Sequence, residues 1–466
     1  MSLLKGITAH DWGEHMKIVM LTWEYPPRSV GGIAPHAQQL SRALVQRGHD
    51  VQVVTHLEGD AKRLEDDKGV TVHRAPMASP APLDFLTWVM QMNLNLIETV
   101  VKITRRSGPP DIIHAHDWLV AYAAKSLKHS LTVPLVATIH ATEAGRNSGL
   151  HNALQRYIGD VEWWLGFEAW RVICCSTYML DEVMRVFQLP MDKIDVIPNG
   201  VNAGEFASDA DIAEFRRRYA ADDEKLVFFV GRLVHEKGVH VLIQAMPKVL
   251  AHYGKAKLVV SGKGPAMDYL KSLASQLGVW DRVYFTGYID DDTRNKLYKA
   301  ADLAVVPSLY EPFGITALEA MAARCPVAVS DVGGLDSTVQ IGVNGYKFYA
   351  GNPNSLADTI LHVFFCPDDA ERVSRRAYEE VITKYSWGRI ATLTEQTYSR
   401  VLHEFKNSDW ALTSTELVTR ESSYHGRRKR HEIEALDMRP PQTDGPDLGQ
   451  AYHGIYPKTP SEARHS

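Results

Sequence analysis

Cysteine is scarce in this chain: Cys174, Cys175, Cys325 and Cys366 are its only four. No CxxC pair or Cys/His cluster suggests zinc, and adjacent Cys174 and Cys175 are poorly placed for an unstrained bridge. This usage fits a reducing compartment, so a cytoplasmic protein is expected. Long apolar runs are missing too. None approaches the roughly 18 residues that span a bilayer, and residues 1–15 lack the basic start and apolar core of a secretory signal. Nor is there an excess of one charge. A formal net charge of −5 gives no support for nucleic acid or an anionic membrane as the main partner. What remains is the composition of a soluble globular protein, 45% hydrophobic and 23% charged, with 466 residues for two or three domains.

The order of apolar segments supplies the architecture. Residues 17–22 read as a strand, 24–32 as a turn-rich loop with Pro26–Pro27 and Gly31–Gly32, and 34–47 as an amphipathic helix ended by Gly48. A strand at 50–55 completes a βαβ unit, which predicts a parallel sheet. Strands at 70–73, 111–115, 135–139, 172–175 and 194–197 continue the rhythm, and helices lie between them. Pro198-Asn199-Gly200 interrupts it. The alternation restarts with strands at 225–230, 257–261, 283–286, 303–306 and 327–330. Helical patterns over 353–384 and 387–405 follow. Two doubly wound α/β domains are expected, over 16–200 and 201–385, with a helix at 386–406. The polar remainder, 407–466, contains Arg427-Arg428-Lys429-Arg430. It has little that could form a core and reads as disordered, its basic cluster a solvated run.

Candidate chemistry collects where strands end, the position at which open parallel sheets place ligands. Gly31–Gly32 opens the first helix, where backbone amides favour an anion; the spacing is not GxGxxG. Arg232 and Lys237 flank the turn after the 225–230 strand, two cations suited to phosphate. Glu311 follows the 303–306 strand. Glu319 lies eight residues on, roughly 12 Å if the rise were helical throughout. His114, His116 and Asp117 end one strand of the first domain, and His140 ends the next. His114 and His116 share a strand face and could form half a metal site. No third or fourth ligand is evident from spacing, so no metal is expected. His140 and Asp117 could instead hydrogen-bond a sugar hydroxyl. Asp290-Asp291-Asp292 precedes a helix and reads as its N-terminal cap. Trp163, Trp164 and Trp170 read as packing between helix and sheet.

The Gly31–Gly32 turn, the Arg232…Lys237 crest and the Glu311-x7-Glu319 pair, in this order, resemble the retaining glycosyltransferases of family 4. The resemblance covers roughly residues 16–405. It implies the GT-B fold, α/β with two Rossmann-like doubly wound domains facing across a cleft, and a final helix returning to the first domain. It further implies that Arg232 and Lys237 neutralise a diphosphate leaving group and that Glu319 holds the ribose hydroxyls. Glu311 would contact the donor sugar, and the backbones of Gly31, Gly32, Gly314, Ile315 and Thr316 would complete the phosphate pocket. His140 would face the donor's reactive carbon and Asp117 the acceptor side. No metal or other cofactor is implied, and the acceptor would attack on the face the leaving group vacates.

Within that family, WEYPP…GG (23–32), HAHDW (114–118), VGGLDSTV (332–339) and the stretch from Glu162-Trp163-Trp164 to Cys174-Cys175-Ser176 look most like glycogen and starch synthases. One departure is Ser29, where family 5 ADP-glucose synthases have a lysine two residues before the glycine pair. The expected activity is glucose transfer from UDP- or ADP-glucose to an α-glucan or glucoside. The alternatives are a mannosyl- or other hexosyltransferase acting on a lipid or small acceptor, and a nucleotide-sugar epimerase of the same fold. A sugar-binding protein without catalysis is disfavoured by Arg232, Lys237 and Glu311.

Overall fold

The computed structural model describes residues 15–77, 80–207 and 212–411; the expected disordered tail, with its basic cluster, lies almost wholly outside them. The first sheet contains β1 (Lys17–Leu21), β2 (Asp50–His56), β3 (Leu64–Asp67), β4 (Val70–Ala75), β5 (Ile112–His116), β6 (Leu135–Ile139), β7 (Arg171–Cys174) and β8 (Ile194–Val196). Their order is β3-β4-β2-β1-β5-β6-β7-β8. The second contains β9 (Lys225–Val230), β10 (Ala256–Ser261), β11 (Val283–Gly287), β12 (Leu303–Val306), β13 (Val327–Ser330) and β14 (Tyr346–Phe348), ordered β11-β10-β9-β12-β13-β14. All pairings are parallel except β3–β4. β12 (LAVV) is apolar throughout, and β1 (KIVML) is apolar and buried after Lys17, because helices cover both faces of such sheets.

Each sheet reverses direction once. The helix after β1, Ile33–Gln46, packs on one face with β2, whereas the helix after β5, Ala121–Leu131, packs on the other. Likewise the helix after β9, Val239–His252, and the helix after β12, Ile315–Ala322, cover opposite faces. The strand ends on either side of such a reversal leave a crevice between diverging loops. In this protein those ends are β1 with β5 and β9 with β12, which carry most of the candidate residues.

A continuous apolar cluster runs from the first sheet, through Val19, Ile113 and Met179, to Phe228, Leu318 and Val329 of the second. The helix Trp387–Lys406 returns to the first sheet, burying Ile390, Ala391, Tyr398 and Val401 beside Ile18 and Val53. Arg47 donates from Nε to Glu395 at 2.6 Å, and Thr397 donates to Asp195 at 2.7 Å. Where the chain crosses and recrosses, Val201 N donates to Tyr385 O at 2.8 Å.

Some details differ from expectation. The helical pattern over 353–384 is two helices, Pro353–Phe365 and Pro367–Lys384, because Pro367 cannot continue the first. The acidic segment of β3 forms an antiparallel hairpin with β4 through Lys68 and Gly69, both at positive φ. Trp163 is not packed between helix and sheet. It is 45% exposed and stacks on Phe167, while Trp164 packs on Tyr122 and Trp170 on Phe405. Asp290 does cap its helix, accepting from Thr293 N at 2.8 Å.

Candidate active site

The first wall of the cleft is the loop after β1. Glu24, fully buried, accepts hydrogen bonds from Val30 N at 2.5 Å and Ala34 N at 3.2 Å. Burial pushes its pKa up, and these amides oppose the shift. The carboxylate thus pins both ends of the Gly31–Gly32 turn. A Cβ on Gly31 would meet nothing within 4 Å, so this side of the turn is open. One on Gly32 would lie 3.2 Å from Ile315 Cδ1 of the second domain. Glu24 is missing from the sequence-based set because a lone acid in a turn gives no sign that it caps a turn six to ten residues on.

His116 and Asp117 stand at the end of β5, and His140 follows β6. Asp117 is buried, with φ at 59°, and its Oδ1 accepts from His140 N at 2.7 Å. A left-handed non-glycine residue stores strain that its surroundings must support; here the support is the carboxylate's bond to the next strand end. Burial raises the Asp117 pKa to about 6, against the nearby Arg146 at 3.9 Å. Asp117 therefore positions His140. Burial holds the His140 imidazole down at about 3, so it is neutral near pH 7. His114 lies deeper. Its Nδ1 meets Tyr398 OH at 2.6 Å and its Nε2 Thr138 Oγ1 at 2.7 Å.

Spacing in the sequence offers His114 and His116 no further ligand, but folding brings other imidazoles to one of them. His116 is joined by His36 and His140, all three within 4.8 Å through ring nitrogens, whereas His114 is committed elsewhere. His36 was invisible because it comes from a helix some eighty residues upstream.

The second wall is built at the ends of β9 and β12. The turn after β9 brings Lys237 Nζ to 2.6 Å from Glu311 Oε2, which also accepts from Ser308 Oγ at 2.9 Å. Arg232 is partly exposed, 3.4 Å from Glu236. Gly314, at φ 98°, caps the helix Ile315–Ala322. The amides of Ile315 and Thr316 are in its first turn, whose N–H groups lack intrahelical acceptors and attract anions. Glu319 is one turn further in, accepting from Tyr298 OH at 3.0 Å with Arg294 at 3.6 Å. Burial raises its pKa, and Arg294 counters. Since the helix begins at Ile315, the separation of Glu311 from Glu319 is not that of eight helical residues.

The structure thus brings Lys237 and Glu311 into direct contact and sets Arg232 and the Gly314–Thr316 amides on the same strand ends. Gly32 faces Ile315 from the other domain, with Gly31 beside it in the turn. Cations and oriented amides in one crevice suit a diphosphate, and such preorganised groups can dominate catalysis when negative charge develops there.

Two family models match the chain: "Glycosyltransferase Family 4" over residues 30–205 and "Glycosyl transferases group 1" over 211–380. A glycogen synthase of Mycobacterium tuberculosis is 37% identical over 401 residues, covering 82% of this chain and 94% of the relative. The chain belongs to glycosyltransferase family 4. A second relative of this hexosyltransferase is the uncharacterized glycosyltransferase MJ1607 of Methanocaldococcus jannaschii, 44% identical over 390 residues, covering 82% of this chain and 98% of the relative. Among solved structures, sucrose-phosphate synthase from Thermosynechococcus elongatus superposes with a TM-score of 0.74 at 24% identity, covering 84% of this chain and all of that one. The catalytic domain of Arabidopsis thaliana starch synthase IV, bound to ADP and acarbose, gives 0.68 at 18%, covering 84% and 100%. These likenesses establish the GT-B fold, two Rossmann-like domains facing across a cleft. Among the described residues, no helix of the glycosyltransferase is long and apolar enough to cross a membrane.

Proposed function

We propose that this glycosyltransferase moves glucose, with retention, from UDP- or ADP-glucose to an α-glucan or related glucoside in the cytoplasm. The observation that carries the reading is the Lys237–Glu311–Ser308 cluster at the β9/β12 reversal. Lys237 and Arg232 take the charge of the departing diphosphate, helped by the Gly314, Ile315 and Thr316 backbone and the Gly31–Gly32 turn. Glu319 holds the ribose, Glu311 the donor sugar, and His140 flanks the reactive carbon while Asp117 holds the His140 backbone. With cations and amides neutralising the leaving group, the step proceeds without a metal ion. The acceptor hydroxyl attacks the anomeric carbon on the face the diphosphate leaves, and the departing phosphate oxygen takes its proton. The 37% identity to a glycogen synthase supports glucan as acceptor.

The test supplies UDP- or ADP-glucose labelled in glucose, with and without glycogen, and follows free nucleotide and polymer-bound label. Label in the polymer is the expected result. Donor epimerised without acceptor, or label moved only to a lipid, overturns it. Lys237→Ala should lose at least about 10²–10³-fold in turnover, the range seen when one preorganised charge-stabilising donor is removed.

A further inference from the structure

Behind the cleft the first domain gathers more imidazoles than the transfer reaction uses. Three of them, His36, His116 and His140, offer ring nitrogens within 4.8 Å of one another. The rings of His36 and His140 lie 4.7 Å apart, and His116 Nδ1 is 3.1 Å from His140 Nε2. His36 and His116 are buried, and the Nε2 of each finds no hydrogen-bond partner among the described residues. A buried polar atom left unsatisfied costs about 1–3 kcal/mol, and here two occur in one cluster.

The arrangement around His36 is that of a metal ligand. Its Nδ1 faces Asn199 Oδ1 at 2.7 Å, so the proton sits on Nδ1 and Nε2 keeps its lone pair. A carbonyl oxygen on the far nitrogen is how metal-binding histidines are oriented. Burial lowers the pKa of all three rings, which leaves them neutral and able to coordinate at neutral pH.

We propose that His36, His116 and His140 form a binding site for a borderline divalent transition-metal ion such as Zn2+, and that an ion held there excludes the donor sugar. The second half rests on the reading of His140 as a flank of the donor's reactive carbon. An all-imidazole set selects Zn2+, Co2+ or Ni2+ over Mg2+ and Ca2+. Three histidines leave a fourth tetrahedral position, and His140 is the partly exposed member of the set. Zinc–nitrogen bonds of about 2.0–2.1 Å place ligand nitrogens roughly 3.4 Å apart, so ring nitrogens now within 4.8 Å of one another would draw in around the ion. The ion would serve as an inhibitor, with no part in the transfer chemistry.

Tag-free full-length protein is titrated with Co2+, whose visible absorption reports tetrahedral coordination. One Co2+ per chain is expected, displaced by Zn2+ and lost in His36→Gln. Asn199→Ala, which keeps all three ligands, should weaken affinity about 10–100-fold. In donor kinetics, Zn2+ should raise the apparent KM of the wild type and leave that of His36→Gln unmoved. The proposal is overturned by absence of the tetrahedral bands, by their persistence in folded His36→Gln, or by transfer indifferent to saturating Zn2+. Should His36→Gln not fold, unchanged Co2+ affinity in Asn199→Ala overturns it as well. If neither nucleotide sugar supports transfer, the functional reading fails while the Co2+ spectrum still decides the metal site.

Discussion

Asp117 shows how one side chain can serve a site at the expense of the fold. Its carboxyl is buried at a strand end, and its pKa rises from 3.8 to about 6. The folded state therefore binds this proton more tightly than the unfolded chain does. The stability it contributes is fully present below about pH 4 and is lost as pH rises through 6. The difference amounts to about 3 kcal/mol at neutral pH. Asp117→Asn keeps an oxygen to accept the His140 amide but carries no charge. Its melting temperature should rise above that of the wild type progressively from pH 4 to 6 and stay above it at higher pH. Thermal unfolding across pH 4 to 8 checks this; a difference independent of pH would show that Asp117 does not titrate there. At this scale, legibility followed the ends of readable strands. Arg232 with Lys237, and Glu311 with Glu319, form two short local groups at the ends of readable strands, although folding joins the groups across 74 residues. His36 meets residues that folding brings in from distant segments, and Glu24, though its partners Val30 and Ala34 are near in sequence, sits in a turn where a lone acid leaves no signature.

At the scale of elements, the turn His235–Lys237 matters because it delivers Lys237 to Glu311. It ends at Gly238, with φ at 65°, where an added Cβ would lie 1.8 Å from Pro307 O. The loop after β12 thus lies directly on this glycine. Gly238→Ala carries a left-handed penalty of about 1–2 kcal/mol and must also push Pro307 away. The β12 loop then retreats from Lys237, opening the 2.6 Å pair. The expected outcome is a lower melting temperature together with a fall in kcat/KM of at least tenfold; wild-type kinetics at a reduced melting temperature would separate the turn from the chemistry. Apolar strands such as β6, β12 and β13 were read from sequence with their observed bounds, since buried parallel strands announce themselves by composition. β3 was not, because LEDD is a charged edge strand, and charge of that kind protects an edge while erasing the apolar signal.

At the scale of the whole molecule, catalysis needs the two domains to meet, and specific contacts hold them together. Tyr310, next to Glu311, reaches across the cleft and donates its hydroxyl to Glu182 Oε1 at 2.9 Å; Thr142 donates to the same oxygen at 2.6 Å. Gly145 makes room for it, since a Cβ there would lie 2.4 Å from the phenol oxygen. Nearby, Ser176 Oγ donates to Pro312 O at 2.6 Å. The loop that carries Glu311 is therefore clasped by the first domain on both sides of that residue. A hydrogen bond to a charged group contributes about 1.5–3 kcal/mol, and each 1.4 kcal/mol is a factor of about ten in an equilibrium. Tyr310→Phe keeps the ring against Tyr178 and removes only the hydroxyl. The closed arrangement should lose population at least tenfold relative to open ones. Small-angle scattering should then show a larger radius of gyration, and kcat/KM for the donor should fall by a similar factor. Because the apolar cluster shared by the two sheets is untouched by this change, the melting temperature should move little. Unchanged scattering and unchanged kinetics would mean that the apolar contacts between the sheets hold the cleft closed without the clasp.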